Sequence, residues 1–144
     1  DKDSYFLQIA SLVSERSTCS RRKAGCVFVD ENNYIRATGY NGVPKGFVHC
    51  IDAACPGALS RSGTDLANCY AVHAEVNAFL QLESNKERVR TAYLTCTPCR
   101  ECAKIFANSF IEKIYALEKY SDDVALEILR KAGIEVAING TLIE

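Results

Sequence analysis

Two short motifs in the chain bring together side chains that bind soft metal ions. Residues 73–75 read His-Ala-Glu, and residues 98–102 read Pro-Cys-Arg-Glu-Cys. One imidazole and two thiolates suit zinc, and a zinc site that does chemistry keeps three protein ligands and leaves a fourth position to water. We therefore expect His73, Cys99 and Cys102 to hold a zinc ion that activates a water molecule near neutral pH.

Glu75 is the acidic side chain that the ligand assignment leaves over. It lies two positions after His73, so it cannot easily share the metal, but it can reach the activated water and a basic atom of a substrate. A carboxyl group in this place can act as general base and general acid, taking the proton of the water and returning protons to the substrate. We expect Glu75 to be the catalytic residue.

Residue spacing indicates which elements position these ligands. Cys99 and Cys102 are three residues apart at the start of a predicted helix, so they share one of its faces. His73 opens another predicted helix, and the positive dipole ends of both helices favour thiolates at the site. The alternatives are a closed structural zinc, which would need a fourth protein ligand, and a redox cysteine pair, which would not need the upstream His-x-Glu.

The first part of the chain shows helical and then strand periodicity. Apolar residues at helical spacing predict an opening helix over residues 5–16. Two strand-like runs at 25–30 and 34–38 flank a turn at 31–33, which predicts an antiparallel hairpin. Residues 43–70 lose the pattern and form a long irregular loop, and such a loop inside a compact domain usually has a function.

Helices and strands alternate in the rest of the chain. The predicted order is a helix from His73, a strand at 91–96, a helix carrying Cys102, a strand at 113–117, a helix over 125–132 and a last strand at 134–138. This order predicts one α/β domain over residues 1–144. Helices would flank a mixed sheet of about five strands, antiparallel at the hairpin and parallel after it.

Composition restricts the class of protein and of substrate. The 144 residues are 48% hydrophobic and 24% charged, with a formal net charge of −1 and no apolar run long enough to span a membrane. We therefore expect a cytoplasmic protein without a membrane partner. A polynucleotide partner is not expected either, because nucleic-acid binding depends on many phosphate contacts by Lys and Arg. A small-molecule substrate is the better expectation.

The eight cysteines predict a second metal site, because a cytoplasmic chain keeps its thiols reduced. Cys26 and Cys96 lie in apolar strand runs, where burial accounts for them. Four others would bind a closed structural zinc that ties the irregular loop to the end of the opening helix, namely Cys19, Cys50, Cys55 and Cys69. His49 could replace Cys50 or Cys55, and a set of free loop thiols is the alternative.

Four segments together resemble the deoxycytidylate deaminases of the zinc-dependent cytidine deaminase superfamily. They read Ser-Thr-Cys-Ser-Arg-Arg at 17–22, Thr-Gly-Tyr-Asn-Gly-Val-Pro at 38–44, His-Ala-Glu-Val-Asn-Ala at 73–78 and Thr-Pro-Cys-Arg-Glu-Cys-Ala-Lys at 97–104. His-x-Glu followed by Pro-Cys-x-x-Cys is the signature of zinc deaminases. The Gly-Tyr-Asn-Gly-x-Pro turn and Asn77 are similar to the deoxycytidylate branch. The resemblance implies the three-layer cytidine deaminase fold.

The resemblance also implies an activity, the hydrolysis of dCMP to dUMP with release of ammonia, which supplies dUMP for thymidylate synthesis. Another cytosine nucleotide such as dCTP, or adenosine in tRNA, is the alternative substrate. A zinc-bearing binding module without catalysis is the alternative function. In that module Glu75 would be only a carboxylate that is favoured at a helix start.

Nucleotide contacts follow from the same resemblance. Asn41 would hold the sugar, since an amide can both donate to and accept from a hydroxyl. The other implied substrate contacts are Ala74, Thr97, Pro98 and Tyr120, together with the basic run Ser20, Arg21, Arg22 and Lys23 facing the phosphate. Plainer interpretations exist, because Asn41 could be only a turn residue, Tyr120 could cap a strand and the basic run could be a solvated surface.

Regulation is the last implication of the resemblance. Members of this branch are commonly homo-hexamers that dCTP activates and dTTP inhibits, and magnesium would accompany such a triphosphate. The implied effector site contains Asn41, Gly42, Gly46 and Asn77. The two glycines would let backbone amides approach a phosphate without a side chain in the way.

Overall fold

A six-stranded sheet with helices on both faces forms the frame of the molecule in the computed structural model, which describes residues 1–19, 22–49, 70–84 and 86–143. The elements are α1 (Lys2–Ser14), β1 (Gly25–Asp30), β2 (Ile35–Tyr40), α2 (Ala74–Gln81), β3 (Val89–Cys96), α3 (Arg100–Ala107), β4 (Lys113–Glu118), α4 (Asp123–Lys131), β5 (Glu135–Ile138) and β6 (Thr141–Ile143). A 3-10 turn at Lys86–Arg88 precedes β3. None of the described helices has both the length and the apolar character needed to cross a bilayer.

The sheet is mixed, with the strand order β2-β1-β3-β4-β5-β6. β1 pairs antiparallel with both β2 and β3, whereas β3, β4 and β5 are parallel neighbours. α3 connects β3 to β4, and α4 connects β4 to β5, so each parallel pair has a helical crossover. The predicted hairpin followed by parallel strands is therefore confirmed.

The sheet buries side chains on both faces. Alternate residues of β1 point in opposite directions, so Val27 packs with Phe6 of α1 while Phe28 packs on the opposite face. There the Phe28 ring centroid lies 4.7 Å from that of Phe79 on α2 and 6.0 Å from that of Phe106 on α3. One helix on one face and three on the other give the predicted three-layer arrangement.

Two glycines let helices approach the sheet closely. A Cβ added to Gly39 of β2 would overlap the Ala74 carbonyl oxygen and lie 2.5 Å from the Ala78 nitrogen, both in α2. A Cβ added to Gly25 of β1 would overlap the Ala10 carbonyl oxygen of α1. The depth at which α1 and α2 sit on the sheet therefore depends on the absence of these side chains.

The sixth strand, β6, was not predicted. It is only three residues long and exposed, so it has little apolar pattern to detect. Asn139 and Gly140 connect it to β5, with φ angles of 49° and 83°. Two positive φ values are typical of a type I′ hairpin turn, and Asn-Gly is its strongest sequence signal. That dipeptide was the available clue, and the expectation of about five strands is one strand short.

The predicted irregular loop at 43–70 is described at its two ends only, because residues 50–69 lie outside the described part of the chain. Gly42 and Val72 form an antiparallel bridge with hydrogen bonds of 3.2 and 2.7 Å. Beyond the bridge, the ring centroids of Phe47 and Tyr70 lie 5.4 Å apart. The two ends of this loop are therefore held side by side.

Candidate active site

The starts of two helices meet beyond the carboxyl end of β3. α2 follows His73 and α3 follows Cys99, and both residues are N-caps with extended backbone, at ψ 151° and ψ 171°. The first N–H groups of a helix have no partner within it, and they form the positive end of its dipole. Both helices therefore present positive potential to the space between His73 and Cys99.

Three possible metal ligands converge in this space. Nδ1 of His73 lies 3.4 Å from Sγ of Cys99 and 3.4 Å from Sγ of Cys102, and the three atoms are all within 4.8 Å of one another. A tetrahedral zinc with bonds of about 2.0 Å to nitrogen and about 2.3 Å to sulfur would separate such atoms by roughly 3.5 Å. The residues therefore fit zinc and leave one tetrahedral position for a non-protein ligand.

Hydrogen bonds among the three side chains favour the thiolate form of Cys99. The hydrogen bond with Cys102, together with one from His73, lowers the pKa of the Cys99 thiol to about 4. Hydrogen bonding to Cys99 and burial raise the pKa of Cys102, and the hydrogen bond with Cys99 raises the pKa of His73. A soft cation would thus find one thiolate in place and would displace the remaining protons as it binds.

Glu75 is buried beside this cluster, in the first turn of α2. It is 8% exposed, and burial raises the pKa of its carboxyl, although its own backbone N–H and His73 act in the opposite direction. The fully buried thiol of Cys26 on β1 senses the same carboxyl, since burial and Glu75 both raise the pKa of Cys26. Glu75 therefore lies in a largely dry environment, where it can hold or release a proton.

Asp122, the residue before α4, holds the first turn of α3. Its Oδ2 accepts hydrogen bonds from the backbone N–H and from Nε of Arg100, at 3.0 and 3.1 Å. Its Oδ1 accepts from Nη2 of Arg100 at 3.0 Å and from the backbone N–H of Ala125 at 3.4 Å. One carboxylate thus joins the starts of α3 and α4.

Asn41 follows β2 and is buried in a network with the segment that precedes β1. Its Oδ1 accepts from the Ser17 hydroxyl at 2.6 Å and from the Ala24 N–H at 2.8 Å. Its Nδ2 donates to the Arg22 carbonyl at 2.7 Å. The described partners therefore use both lone pairs of the amide oxygen and leave one side-chain N–H. Asn41 has this N–H for a sugar hydroxyl, and sugar contact by Asn41 stays a prediction.

The site as a whole corresponds to a known family. A family model described as the cytidine and deoxycytidylate deaminase zinc-binding region matches residues 1–118, which include both helix starts, Glu75 and Asn41. The chain belongs to the cytidine and deoxycytidylate deaminase family. The matched region is a zinc-binding one, which agrees with three residues, His73, Cys99 and Cys102, that could hold a metal ion.

Curated relatives of this deaminase domain carry the deoxycytidylate name. This chain is 41% identical over 140 residues to deoxycytidylate deaminase of Schizosaccharomyces pombe. The aligned region covers 93% of this chain and 42% of that protein. The chain is 39% identical over 120 residues to deoxycytidylate deaminase of Mycobacterium phage D29, which covers 79% of this chain and 92% of that protein. The chain spans less than half the length of the yeast relatives that it matches.

A solved structure confirms the deaminase fold. The dCMP deaminase from the cyanophage S-TIM5, crystallised in complex with dCMP and dUMP, matches with a TM-score of 0.76 and 29% identity. The match covers 94% of each chain. The three-layer fold that the sequence motifs imply is therefore the fold observed.

Three of the predicted substrate residues are buried next to the possible metal ligands in the chain. Ala74 and Thr97 are 2% and 1% exposed, and Pro98 is among the fully buried side chains. The Thr97 hydroxyl accepts the backbone N–H of Tyr120 at 2.8 Å. Substrate contact by these three residues stays a prediction.

Arg22 contacts Tyr120, the residue whose backbone N–H donates to Thr97. The guanidinium carbon of Arg22 lies 5.6 Å from the Tyr120 ring centroid, and its Nη1 lies 3.9 Å from a carboxylate oxygen of Glu118. Within the described part of the chain, this buried Nη1 has no hydrogen-bond partner. Lys23 is exposed, whereas Ser20 and Arg21 lie outside the described residues. The phosphate role of the basic run stays a prediction.

A polar cavity of about 560 Å³ is lined by two of the four predicted effector residues, Gly42 and Asn77. Its lining includes Arg16, Lys23, Gly42, His49 and Asn77. The Gly42 N–H donates to the Val72 carbonyl at 3.2 Å. This amide therefore already has a partner, and its predicted contact with a phosphate would have to replace that hydrogen bond. Asn77 donates from Nδ2 to the Tyr40 carbonyl at 2.8 Å, and Gly46 occupies an exposed turn with φ at 89°.

The predicted second zinc site falls largely outside the described residues. Cys50, Cys55 and Cys69 belong to the undescribed segment. Cys19 is 5% exposed, and its backbone N–H donates to the Ser17 hydroxyl at 3.2 Å. His49 is exposed. The second zinc stays a prediction.

Sequence reasoning missed two residues that hold this site from its periphery, Ser17 and Asp122. An aspartate directly before a helical run is typical of an N-cap, and this signal could have identified Asp122. Its contact with Arg100 joins residues 22 positions apart, and the contact of Ser17 with Asn41 joins residues 24 apart. Such contacts leave no local pattern in a single sequence.

Proposed function

We propose that the chain hydrolyses dCMP to dUMP and ammonia. The observation that carries this proposal is the buried carboxyl of Glu75 beside one imidazole and two thiols that fit zinc. The relatives from fission yeast and phage D29 are named deoxycytidylate deaminase, and the cyanophage structure holds dCMP and dUMP. These names favour the monophosphate over other cytosine compounds.

Zinc held by His73, Cys99 and Cys102 would supply a water of lowered pKa as the attacking group. Glu75 would move the protons. Its carboxylate accepts one proton as the water oxygen bonds to C4 of cytosine, and it passes this proton to N3. Glu75 then transfers the remaining hydroxyl proton to the exocyclic amine, which leaves as ammonia while a carbonyl forms at C4. Its buried position suits this shuttle, because bulk water does not compete for the proton.

Recognition of the sugar and the phosphate would fall to other residues of the predicted site. Asn41 has one N–H available for a sugar hydroxyl, and its orientation is fixed by Ser17 and Ala24. Nη1 of Arg22 lies 3.9 Å from a carboxylate oxygen of Glu118 and makes no hydrogen bond to the described residues. A guanidinium and a phosphate form short, charge-assisted hydrogen bonds that a nucleoside cannot make. This supports dCMP rather than cytidine as the substrate.

A substrate panel tests the proposal. Purified chain loaded with zinc is mixed with dCMP, cytidine, dCTP or an adenosine-containing tRNA anticodon stem, and loss of the amine is followed by absorbance or by ammonia release. We expect kcat/KM for dCMP to exceed that for cytidine by about tenfold or more, the worth of one charge-assisted hydrogen bond. Equal efficiency on the two would contradict the phosphate role. Turnover of the tRNA stem alone would establish the runner-up activity instead.

A second, structural zinc forms part of the proposal. Its ligands would be Cys19, Cys50, Cys55 and Cys69, with His49 as the substitute. Burial of Cys19 next to Ser17 supports a structural rather than a reactive role for this thiol. Such a site would link the end of α1 to the segment that leads to His73.

Effector binding is the remaining part of the proposal. We assign dCTP as activator and dTTP as inhibitor to the 560 Å³ cavity, with magnesium on the triphosphate, in a homo-hexamer. The lining has two cationic side chains, Arg16 and Lys23, against one acidic side chain, Glu15, and this balance suits a polyphosphate. Asn77 lies in α2, the helix that carries Glu75, so the cavity borders the catalytic element. Arg16→Gln should weaken inhibition by dTTP and leave the KM for dCMP unchanged, whereas unchanged inhibition would exclude this cavity.

A further inference from the structure

We propose that Asp122 is a positioning residue for the metal-binding turn of α3 and that it acts through Arg100. Arg100 is the first residue of α3 and stands directly after the ligand Cys99. Cys102 lies two residues further on, in the same turn. Any displacement of the Arg100 backbone therefore moves both sulfur ligands together.

Three hydrogen bonds between Arg100 and Asp122 oppose a displacement of the Arg100 backbone. Asp122 binds the Arg100 backbone N–H at 3.0 Å and grips its guanidinium through Nε at 3.1 Å and Nη2 at 3.0 Å. A carboxylate and an arginine fork bonded through two nitrogens have a fixed mutual orientation. The carboxylate of Asp122 is itself fixed, because its side chain is 9% exposed and accepts the Ala125 N–H at the start of α4. The turn is thereby anchored to a second helix.

Charge balance explains why the anchor takes the form of an ion pair. An isolated carboxylate at the start of α3 would repel the thiolates that the helix end favours. Arg100 neutralises that charge, and its hydrogen bond lowers the pKa of Asp122, so the pair stays ionised at neutral pH. The arrangement provides a rigid anchor with no net charge next to the sulfur ligands.

Asp122→Asn provides the test, with zinc affinity as the readout. Asparagine is also a good N-cap, so this variant retains the cap of α4 and loses the charged fork to Arg100. The zinc dissociation constant of the full chain is measured by competition with a chromogenic chelator. The relevant site is identified as the zinc lost in Cys99→Ser. We expect the dissociation constant for zinc at this site to rise by about 10-fold or more, as it does for other residues that orient metal ligands without binding the metal.

Asp123→Asn is the matched control. Asp123 lies next to Asp122 and pairs with Lys119 at 2.6 Å, but its side chain is 86% exposed. This variant should bind zinc as the unchanged chain does. Arg100→Lys keeps the charge and removes the planar fork. It should weaken zinc binding in the same direction, and adding Asp122→Asn to it should have little further effect.

A purely structural role for Asp122 predicts a different result. Asp122→Asn would then lower the unfolding temperature and leave the zinc dissociation constant unchanged, which would overturn the proposal. If Asp122→Asn does not fold, Arg100→Lys decides the question, because its side chain is 53% exposed. Zinc affinity needs no substrate, so these results stand whether or not the chain turns over dCMP.

Discussion

Glu75 is an ionisable side chain that the fold buries, and this isolation fits a proton carrier. Glu75→Gln should lower kcat by about 10² or more, because amides do not transfer protons as carboxylates do. The substitution is nearly isosteric and should leave folding and zinc content unchanged. Stopped-flow turnover of dCMP together with metal analysis would check both expectations.

Matched variants distinguish this role from metal binding. His73→Ala should lose zinc and activity together, since it removes a ligand atom. A Glu75→Gln protein that keeps more than about a tenth of the wild-type rate would contradict the acid-base role.

The sequence alone predicts a role for some residues of the site more fully than for others. The fixed spacing of His73, Glu75, Cys99 and Cys102 in two motifs was enough to place them in one cluster with a role for each. Asn41 was assigned to the sugar through the family resemblance, and this role stays a prediction. Its partners Ser17 and Ala24 occupy its amide oxygen, and no property of the Asn-Gly dipeptide indicates this. Hydrogen bonds between distant segments decide which polar atoms stay available to a substrate.

At the scale of elements, the contact of α2 with the sheet determines where His73 and Glu75 stand. Gly39→Ala would force the start of α2 outward, because the new methyl group would overlap the Ala74 carbonyl. We expect a loss of about 1–3 kcal/mol in the free energy of unfolding and, in addition, weaker zinc binding. Urea unfolding and chelator competition would measure the two effects.

Gly25→Ala is the comparison for this change. It causes the same kind of overlap with α1, through the Ala10 carbonyl, but α1 carries no metal ligand. It should lower stability to a similar degree while the remaining folded protein binds zinc normally. Equal loss of zinc affinity in the two variants would show that the effect is global.

The β1–β2 turn contains a buried ion pair that makes stability depend on pH. Burial alone would raise the pKa of Asp30, but the Tyr34 N–H, Arg36 and the Asn32 N–H lower it below its usual range. Arg36 Nε donates to Asp30 at 2.6 Å. A depressed pKa in the folded state means that this stabilisation is complete above the unfolded pKa of about 3.9 and is lost as the pH falls through the folded pKa.

Asp30→Asn should therefore cost about 1–3 kcal/mol at pH 7 and less in acid. The difference in unfolding free energy between wild type and variant should shrink as the pH falls from about 5 to below the folded pKa. Urea titrations across this range provide the measurement. A difference that stays constant with pH would contradict the assignment. Glu31→Gln, which removes an exposed partner of Arg88, should cost less than about 1 kcal/mol.

Elements with strong periodicity were predictable, and their ends were less so. α1 begins at Lys2, earlier than the predicted residue 5, because the Asp1 carboxylate caps it by accepting the Ser4 N–H at 2.9 Å. β2 extends to Tyr40 rather than to residue 38, since pairing with Gly25 continues the ladder. Tertiary contacts and caps set these ends, whereas the apolar pattern sets only the middle of each element.

At the scale of the whole molecule, the metal content distinguishes one zinc site from two. We expect about two zinc ions per chain if four of the loop and helix-end side chains form a closed site in addition to the three-ligand site. Cys69→Ser should reduce the content to about one while turnover per remaining zinc persists. A content of one zinc in a fully active, unmutated chain would remove the second site. Mass spectrometry under native conditions would give the count directly.

The class of fold was accessible from the alternation of helices and strands, because parallel strands need helical crossovers. The strand order was less accessible. β1 inserts between β2 and β3 and pairs with both, and this placement depends on which apolar faces α1 and the three other helices bury. The pattern shows that β1 is buried on both faces, but it does not specify its neighbours.

The anchored ends of the segment between His49 and Tyr70 bear on how such chains diverge. The Gly42–Val72 bridge and the Phe47–Tyr70 ring contact keep these ends together whatever lies between them. In general, closing a loop costs only about 0.6 kcal/mol more for each doubling of its length. Changes of length between these anchors that keep Cys50, Cys55 and Cys69 should therefore cost little, because the two anchors hold the chain on either side of the change. An insertion between these anchors should therefore leave the start of α2, which carries His73 and Glu75, in its place.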